Sequence, residues 1–257
     1  MMRASLAALA TVIMLLLFLT LRGGAQSLQE IPLSSGAANS PVVAELFTSQ
    51  SCSSCPPAER LFAGLAERQD LIVLEWHVDY WDRLIHGRAG AWKDPYSSAD
   101  HTKRQRQYNR ALRGTNGVYT PQAVVNGRLE TVGSRASEVL KLLVTTPHVN
   151  AALEVSDEDG TLRADLSALE HRLEQEAAVY RLTLLPEQTT SVPRGENRGA
   201  VLTSRNIVLA AEQIGVYSGD AVSFDLNAPE DGHACAIIVQ EQRGGQLGPI
   251  LSASYCP

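Results

Sequence analysis

The sequence predicts an α/β domain over about residues 41–146, followed by a mainly antiparallel, β-sandwich-like domain over 147–257. Three observations carry this. Short apolar runs alternate with amphipathic stretches as far as Thr146. From Val149 onward the periodicity is that of strands, with turn residues between them. The chain has 257 residues, enough for two modest domains.

The N-terminus reads as a targeting segment. Arg3 supplies a short positive region, Ala4–Leu21 is nearly unbroken apolar sequence, and Gly23 and Ala25 suit cleavage after Ala25. The same run lies near the lower length limit of a membrane span, so residues 1–25 are expected to be a cleaved signal or an N-terminal anchor. Either form puts the rest of the chain in the periplasm or outside the cell. No cysteine stands near Ala25 to carry a lipid. Residues 26–40, rich in Ser, Gly, Ala and Asn, form an expected linker.

In the first domain, Val42–Phe47 is an apolar run broken only by Glu45, as in a buried strand. A polar turn over 48–54 leads to Cys55, Pro56 and Pro57. Leu61, Phe62, Leu65 and Ala66 then mark an amphipathic helix over 58–68, whose first turn tolerates proline. Leu71–Val78 reads as a second strand. Residues 79–113 form an expected helical insertion, irregular up to a helix over about 98–112. Gln122–Asn126 and Arg128–Val132 read as a hairpin about Asn126-Gly127, and Ser134 as the cap of a last helix over 135–144.

A strand that runs into Cys52-Ser53-Ser54-Cys55 at a helix start, with Thr120-Pro121 before a later hairpin, resembles the thioredoxin superfamily. The strings Glu45–Glu59, His77–Asp82 and Val118–Gln122 are more specific. They resemble the exported bacterial proteins grouped as domain of unknown function 1223. The resemblance implies a thioredoxin-like fold for 41–146 and a cis-proline, Pro121, facing the dithiol. Thr120 and Pro121 would present backbone groups to an extended substrate beside Cys52. It also implies a buried acid beneath the dithiol. Glu45 is the candidate, although it stands seven residues before Cys52 rather than six, a slip that would turn it to the other sheet face.

A thiolate, not a thiol, attacks a disulfide, and helix-start N–H groups stabilise that anion. Cys52 is therefore the expected nucleophile and Cys55 the resolving cysteine. The pair could also be an inert structural disulfide, or could hold copper or zinc with His77 as a third ligand. Asp79 and Asp82 are weaker acid candidates and read first as caps for the segment after the second strand.

The C-terminal strands are expected at 151–155, 161–166, 178–185, 221–226, 234–240 and 250–255, and the glycine-rich Arg194–Gly199 stretch as a solvated connection. Cys235 and Cys256 are equidistant from the Gly245–Gln246 boundary. A hairpin centred there would place them opposite one another as a structural disulfide, and a one-residue bulge would undo that register.

A net charge of −6 without a basic stripe argues against nucleic acid as a partner. The expected function is thiol–disulfide exchange in the cell envelope, without a bound cofactor, on a protein or small-molecule thiol or disulfide. A copper-holding chaperone or redox sensor, and a non-catalytic interaction module, are the alternatives.

Overall fold

Two strands, Val42–Thr48 (β1) and Leu71–His77 (β2), are buried at every residue. Their near-continuous apolar runs suit strands covered on both faces. They pair in parallel, with Val42 opposite Leu71 and Thr48 opposite His77. The computed structural model that shows this describes residues 41–84, 90–147 and 151–257, so the leader and linker read at 1–40 lie outside the described residues.

The outer edge of β1 takes Gln122–Val125 (β3) antiparallel, and β3 pairs with Leu129–Val132 (β4). The turn between them puts Asn126 and Gly127 at φ values of 47° and 64°, the left-handed geometry that favours this dipeptide. Alternate residues of β1 sort the helices onto two faces. Val42, Ala44 and Leu46 pack with Ala58 and Phe62 of helix Pro56–Leu65 (α1) and with Val139 of Ala136–Thr145 (α3). Val43 and Phe47 pack with Tyr108 of Ala99–Arg113 (α2). The last helix is not capped by Ser134; Arg135 holds the cap position, and its side chain makes no capping hydrogen bond.

The expected fold class is overturned by the strands that follow. Ala177–Ser191 (β7), Val201–Tyr217 (β8), Ala234–Arg243 (β10) and Gln246–Tyr255 (β11) join β1–β4 in one mixed sheet, ordered β11-β10-β7-β8-β2-β1-β3-β4. The architecture is thus a large eight-stranded sheet, not an α/β thioredoxin-like domain followed by a separate sandwich. The reason lies in β2, whose second edge would be bare if the first half closed on itself. It meets β8 in a parallel bridge at Glu75 and Ile207. Beyond that bridge a side chain serves the edge: Val73 N–H donates to the Tyr255 hydroxyl at 2.9 Å, which also accepts from Asn206 Nδ2 at 2.9 Å. One core, including Phe47, Trp76, Leu184, Val208 and Ile238, runs across the join.

The remaining strands, Leu153–Glu158 (β5), Thr161–Leu166 (β6) and Val222–Asn227 (β9), form a three-stranded sheet. Leu166 packs with Val179, Ile237 and Val239 from the other face of the large sheet.

Candidate functional site

The site begins where β1 runs out. Ser49–Cys52 and Cys55 are buried, while Ser53 and Ser54 are exposed. Cys52 and Cys55 form a disulfide with Cα atoms 5.4 Å apart, and neither residue has exposed surface. The N–H groups of this turn can be accounted for one by one. Cys52 N donates to Ser49 O at 3.0 Å and Cys55 N to Cys52 O at 3.1 Å. Pro56 and Pro57 have none to give. Only Ser53 and Ser54 remain from Cys52 to Pro57, so the helix start offers an anion fewer donors than the sequence pattern suggests.

Thr120 and Pro121 stand beside the pair. Their peptide bond is cis. Ser54 Oγ lies 3.3 Å from Cys52 Sγ and 3.4 Å from the Thr120 carbonyl oxygen. Trp81 Nε1 donates to Thr120 Oγ1 at 2.7 Å, and Trp92 Nε1 donates to Gln50 Oε1 at 3.1 Å, so two indoles of the 79–98 segment fix the loops on either side.

The Arg194–Gly199 stretch is not a solvated connection. It is the tip of the β7–β8 hairpin and it folds onto the dithiol turn. Glu196 Oε2 accepts from Ser53 N at 3.0 Å. Asn197 Nδ2 donates to the carbonyls of Gln50 and Cys52, each at 2.9 Å. Gly195, at φ 79°, lies so close to Trp92 that an added Cβ would sit 3.2 Å from the Trp92 Cβ.

Beneath the turn lies a buried ionisable cluster. Asp94 Oδ2 accepts from Gln50 N at 2.8 Å and is 2.7 Å from His77 Nδ1, while His77 Nε2 is 3.7 Å from Glu75 Oε2. Burial would depress the His77 pKa, but Asp94 and then Glu75 outweigh it and push it up to about 10. The resulting imidazolium holds Asp94 below the usual carboxylate range against the opposing effect of burial. Glu59, on the first turn of α1, accepts from Thr48 Oγ1 at 2.7 Å. Burial, then the neighbouring Glu75, raises its pKa to about 7. Burial also raises that of Glu75. A cavity of about 290 Å³ beside Glu59 is bounded by Pro56, Arg60 and the start of β8 at Val201.

Glu59 is the helix-borne member of the buried acids on the dithiol side, and Glu45 is not among them. Glu45 shares the sheet face of Val43 and Phe47, opposite to α1, and its Oε1 accepts from Arg104 Nε at 2.8 Å. Tyr108 donates to its other oxygen. The seven-residue spacing turns it away, as strand alternation requires. Glu59 could have been found in the sequence, because it lies four residues after Cys55 and three before Phe62, on the helix face that is buried.

The alternative metal set of Cys52, Cys55 and His77 does not assemble. Both sulfurs are bonded to one another and His77 is engaged by Asp94 and Glu75. Among the described residues no group of three or more His, Cys, Asp or Glu side chains is arranged to hold a metal. Asp79 and Asp82 secure the segment after β2. Asp79 Oδ1 accepts from Thr102 Oγ1 at 2.6 Å, and Asp82 accepts from Asp94 N at 3.1 Å and Ser97 Oγ at 2.6 Å.

Cys235 and Cys256 also form a disulfide, with Cα atoms 5.3 Å apart. The route to it differs from the symmetric hairpin. The turn falls at Gly244-Gly245, between paired Arg243 and Gln246, and two register shifts follow along β10–β11. The shifted turn and the two bulges cancel, so Cys256 N still donates to Cys235 O at 2.9 Å.

The family model described as "Protein of unknown function (DUF1223)" matches residues 43–240. Among solved structures, the chain is similar to protein AGR_C_4864 of Agrobacterium tumefaciens, with a TM-score of 0.73 and 29% identity over 87% of this chain and 96% of that one. It is also similar in fold to HBP35 of Porphyromonas gingivalis, with a TM-score of 0.52 and 13% identity over 86% of this chain and 76% of that one. Among curated proteins no match was found.

Proposed function

The chain belongs to the DUF1223 family, and from that premise and the geometry around Cys52 we propose that Cys52–Cys55 is a working thiol–disulfide exchange pair. The observation that carries the reading is the setting of this disulfide. It sits at a helix start beside Thr120–Pro121, with a buried acid of raised pKa one helical turn away. A purely structural cross-link needs no such acid, and the chain already has one at Cys235–Cys256.

The reaction balances as follows. A substrate thiolate attacks Cys52 Sγ, which the turn must first uncover because the residue has no exposed surface; the Cys52–Cys55 bond breaks, and Cys55 leaves as a thiolate that takes up a proton. A second substrate thiol, deprotonated, then attacks the substrate sulfur of the mixed disulfide. The substrate departs oxidised by two electrons and the pair is left reduced. The reverse sequence reduces a substrate disulfide. Glu59 is the group that supplies or accepts the Cys55 proton, since near neutral pH it is populated in both protonation states.

The partner is a protein or small-molecule thiol or disulfide, and no bound cofactor enters the reaction. An oxidising envelope compartment suits such a pair and agrees with the leader-like sequence at 1–25. Among the described residues no helix is long and apolar enough to cross a membrane.

The test is to trap intermediates and measure a potential. With Cys55→Ser, mixed disulfides through Cys52 are expected to accumulate, and with Cys52→Ser they are not. The equilibrium with glutathione is measured with Cys235–Cys256 intact. A pair that stays oxidised far below roughly −300 mV, with no trapped partner, would make it a structural disulfide and end the reading.

A further inference from the structure

Exchange needs Cys52 Sγ in contact with a partner, yet Cys52 and Cys55 have no exposed surface, although Ser53 and Ser54 between them are exposed. The element that lies on this turn from the far half of the chain is the tip of the β7–β8 hairpin, and it meets four consecutive residues. Asn197 Nδ2 donates to the Gln50 and Cys52 carbonyls at 2.9 Å each, and Ser53 N donates to Glu196 Oε2 at 3.0 Å. A Cβ on Gly195 would stand 3.5 Å from Ser51 Oγ. Resting on the exchange reading above, we infer that the outer part of this hairpin, residues 186–206, is a hinged lid. Closed, it holds the turn with Cys52 buried, and it lifts before the disulfide reacts.

Three features support this. First, the lid stands clear of the sheet. β7 pairs with β10 only as far as Leu184, and β8 meets β2 at Ile207. From Glu187 and Arg205 out to Ser191 and Val201 the two strands pair with each other and, among the described residues, with no third strand. A two-stranded ribbon has little stability of its own, so the contacts of its tip decide where it rests. The tip keeps its shape as it moves, because Val192 N donates to Ala200 O at 2.9 Å and Gly199 N to Val192 O at 2.8 Å. Second, the ladder is interrupted at the base. Pro186 has no N–H, Asn206 has a φ of 51°, and the two make no pair between Leu185–Ile207 and Glu187–Arg205. A few such positions suffice to absorb a hinge rotation. Third, the lid is loosely seated along its length. The cavity of about 290 Å³ separates Glu59, Arg60 and Ala63 of α1 from Val201, Leu202 and Thr203 of the lid. The ion pair that ties the lid sideways, Arg205 Nη1 to Glu67 Oε1 at 3.5 Å, lies at the hinge end. The latch is thus at the tip, on the residues that surround Cys52.

The test measures how fast dithiothreitol reduces Cys52–Cys55 in the oxidised full chain, with the thiols trapped by iodoacetamide and assigned by peptide mass. Dithiothreitol gives two electrons and closes to its cyclic disulfide, and the cysteines are left as thiols. Cys235–Cys256 in the same sample reports any general loosening. Asn197→Ala deletes two bonds of the closed lid, each worth about a factor of five, so reduction of Cys52–Cys55 is expected to be roughly ten- to thirtyfold faster. The rate at Cys235–Cys256 is expected to stay unchanged, and hydrogen exchange at the Ser53 amide to quicken with the reduction. Gly195→Ala disturbs the seat through a different contact, since its Cβ would stand 3.2 Å from the Trp92 Cβ. It is expected to speed reduction about fivefold. No acceleration in either variant overturns the lid and leaves the exchange reading standing, as does an equal acceleration at Cys235–Cys256. A Cys52–Cys55 bond that excess dithiothreitol leaves intact in parent and variants alike overturns both.

Discussion

At the scale of single residues, burial divides the carboxylates of this chain by what faces them. Glu45 is held by the Arg104 guanidinium, whereas Glu59 has a hydroxyl from Thr48 and, further off, the acids Glu75 and Asp94 with His77 between them. Burial therefore raises Glu59 to about 7 from an ordinary 4.5. A carboxyl whose folded pKa lies above its unfolded one contributes fully below the unfolded value and loses that contribution as pH rises through the folded value. The loss here falls between pH 4.5 and about 7. Glu59→Gln removes it, so the stability of the variant relative to the parent is expected to improve by roughly 2–4 kcal/mol between pH 4 and pH 8 in urea unfolding. A pH-independent difference would show that Glu59 ionises as freely folded as unfolded. The cysteines and Thr120–Pro121 were legible because their chemistry is carried by short motifs. The Glu75–His77–Asp94 cluster was not, since it joins a strand to an irregular segment whose path no periodicity records.

At the scale of elements, β1, α1, β2, α2 and the β3–β4 hairpin lie within a few residues of their expected bounds, because each carries a strong period or a turn dipeptide. The hairpin turn does a second job. It packs against β11, where Ile250 N donates to Asn126 O at 2.9 Å. A Cβ on Gly127 would stand 2.4 Å from the Gly248 carbonyl oxygen, at a φ of +64°. Gly127→Ala is therefore expected to cost about 2–3 kcal/mol, from left-handed strain plus displacement of β11, as read from the denaturation midpoint. A cost under about 1 kcal/mol would mean that β11 yields freely there. The element missed outright is β8, which lies inside the large sheet. Register shifts at Val179/Tyr180 and Thr183/Leu184 break the two-residue alternation of its pairing with β7, so Ile207–Ala211 reads as a run with no strand period. Pro186 hides the end of β7 in the same way. It is tolerated because β7 has there run past β10, whose pairing stops at Leu184, and pairs with β8 alone.

At the scale of the whole molecule, the join between β2 and β8 decides what can stand by itself. Residues 41–146 were expected to be a domain because their local patterns are complete. The structure buries β2 against partners that arrive after residue 200. A 41–146 fragment would bare Trp76, Leu74 and the β2 edge together. It is expected to aggregate or to unfold without a cooperative transition, whereas the chain from residue 41 to 257 unfolds cooperatively. Circular dichroism melts of the two would decide, and a sharp reversible transition in the fragment would refute this.

The β7–β8 hairpin also bears on inheritance. Its base supplies two strands of the sheet and its tip lies on the dithiol turn, so one ribbon serves both structure and chemistry. Recombination at the apparent boundary near residue 147 would carry the cysteines away without β8, which bridges to β2, and without the hairpin tip, whose Asn197 binds the Cys52 carbonyl. The two halves of this sequence are therefore not exchangeable cassettes, and substitutions on the ribbon and around Cys52 should be selected together.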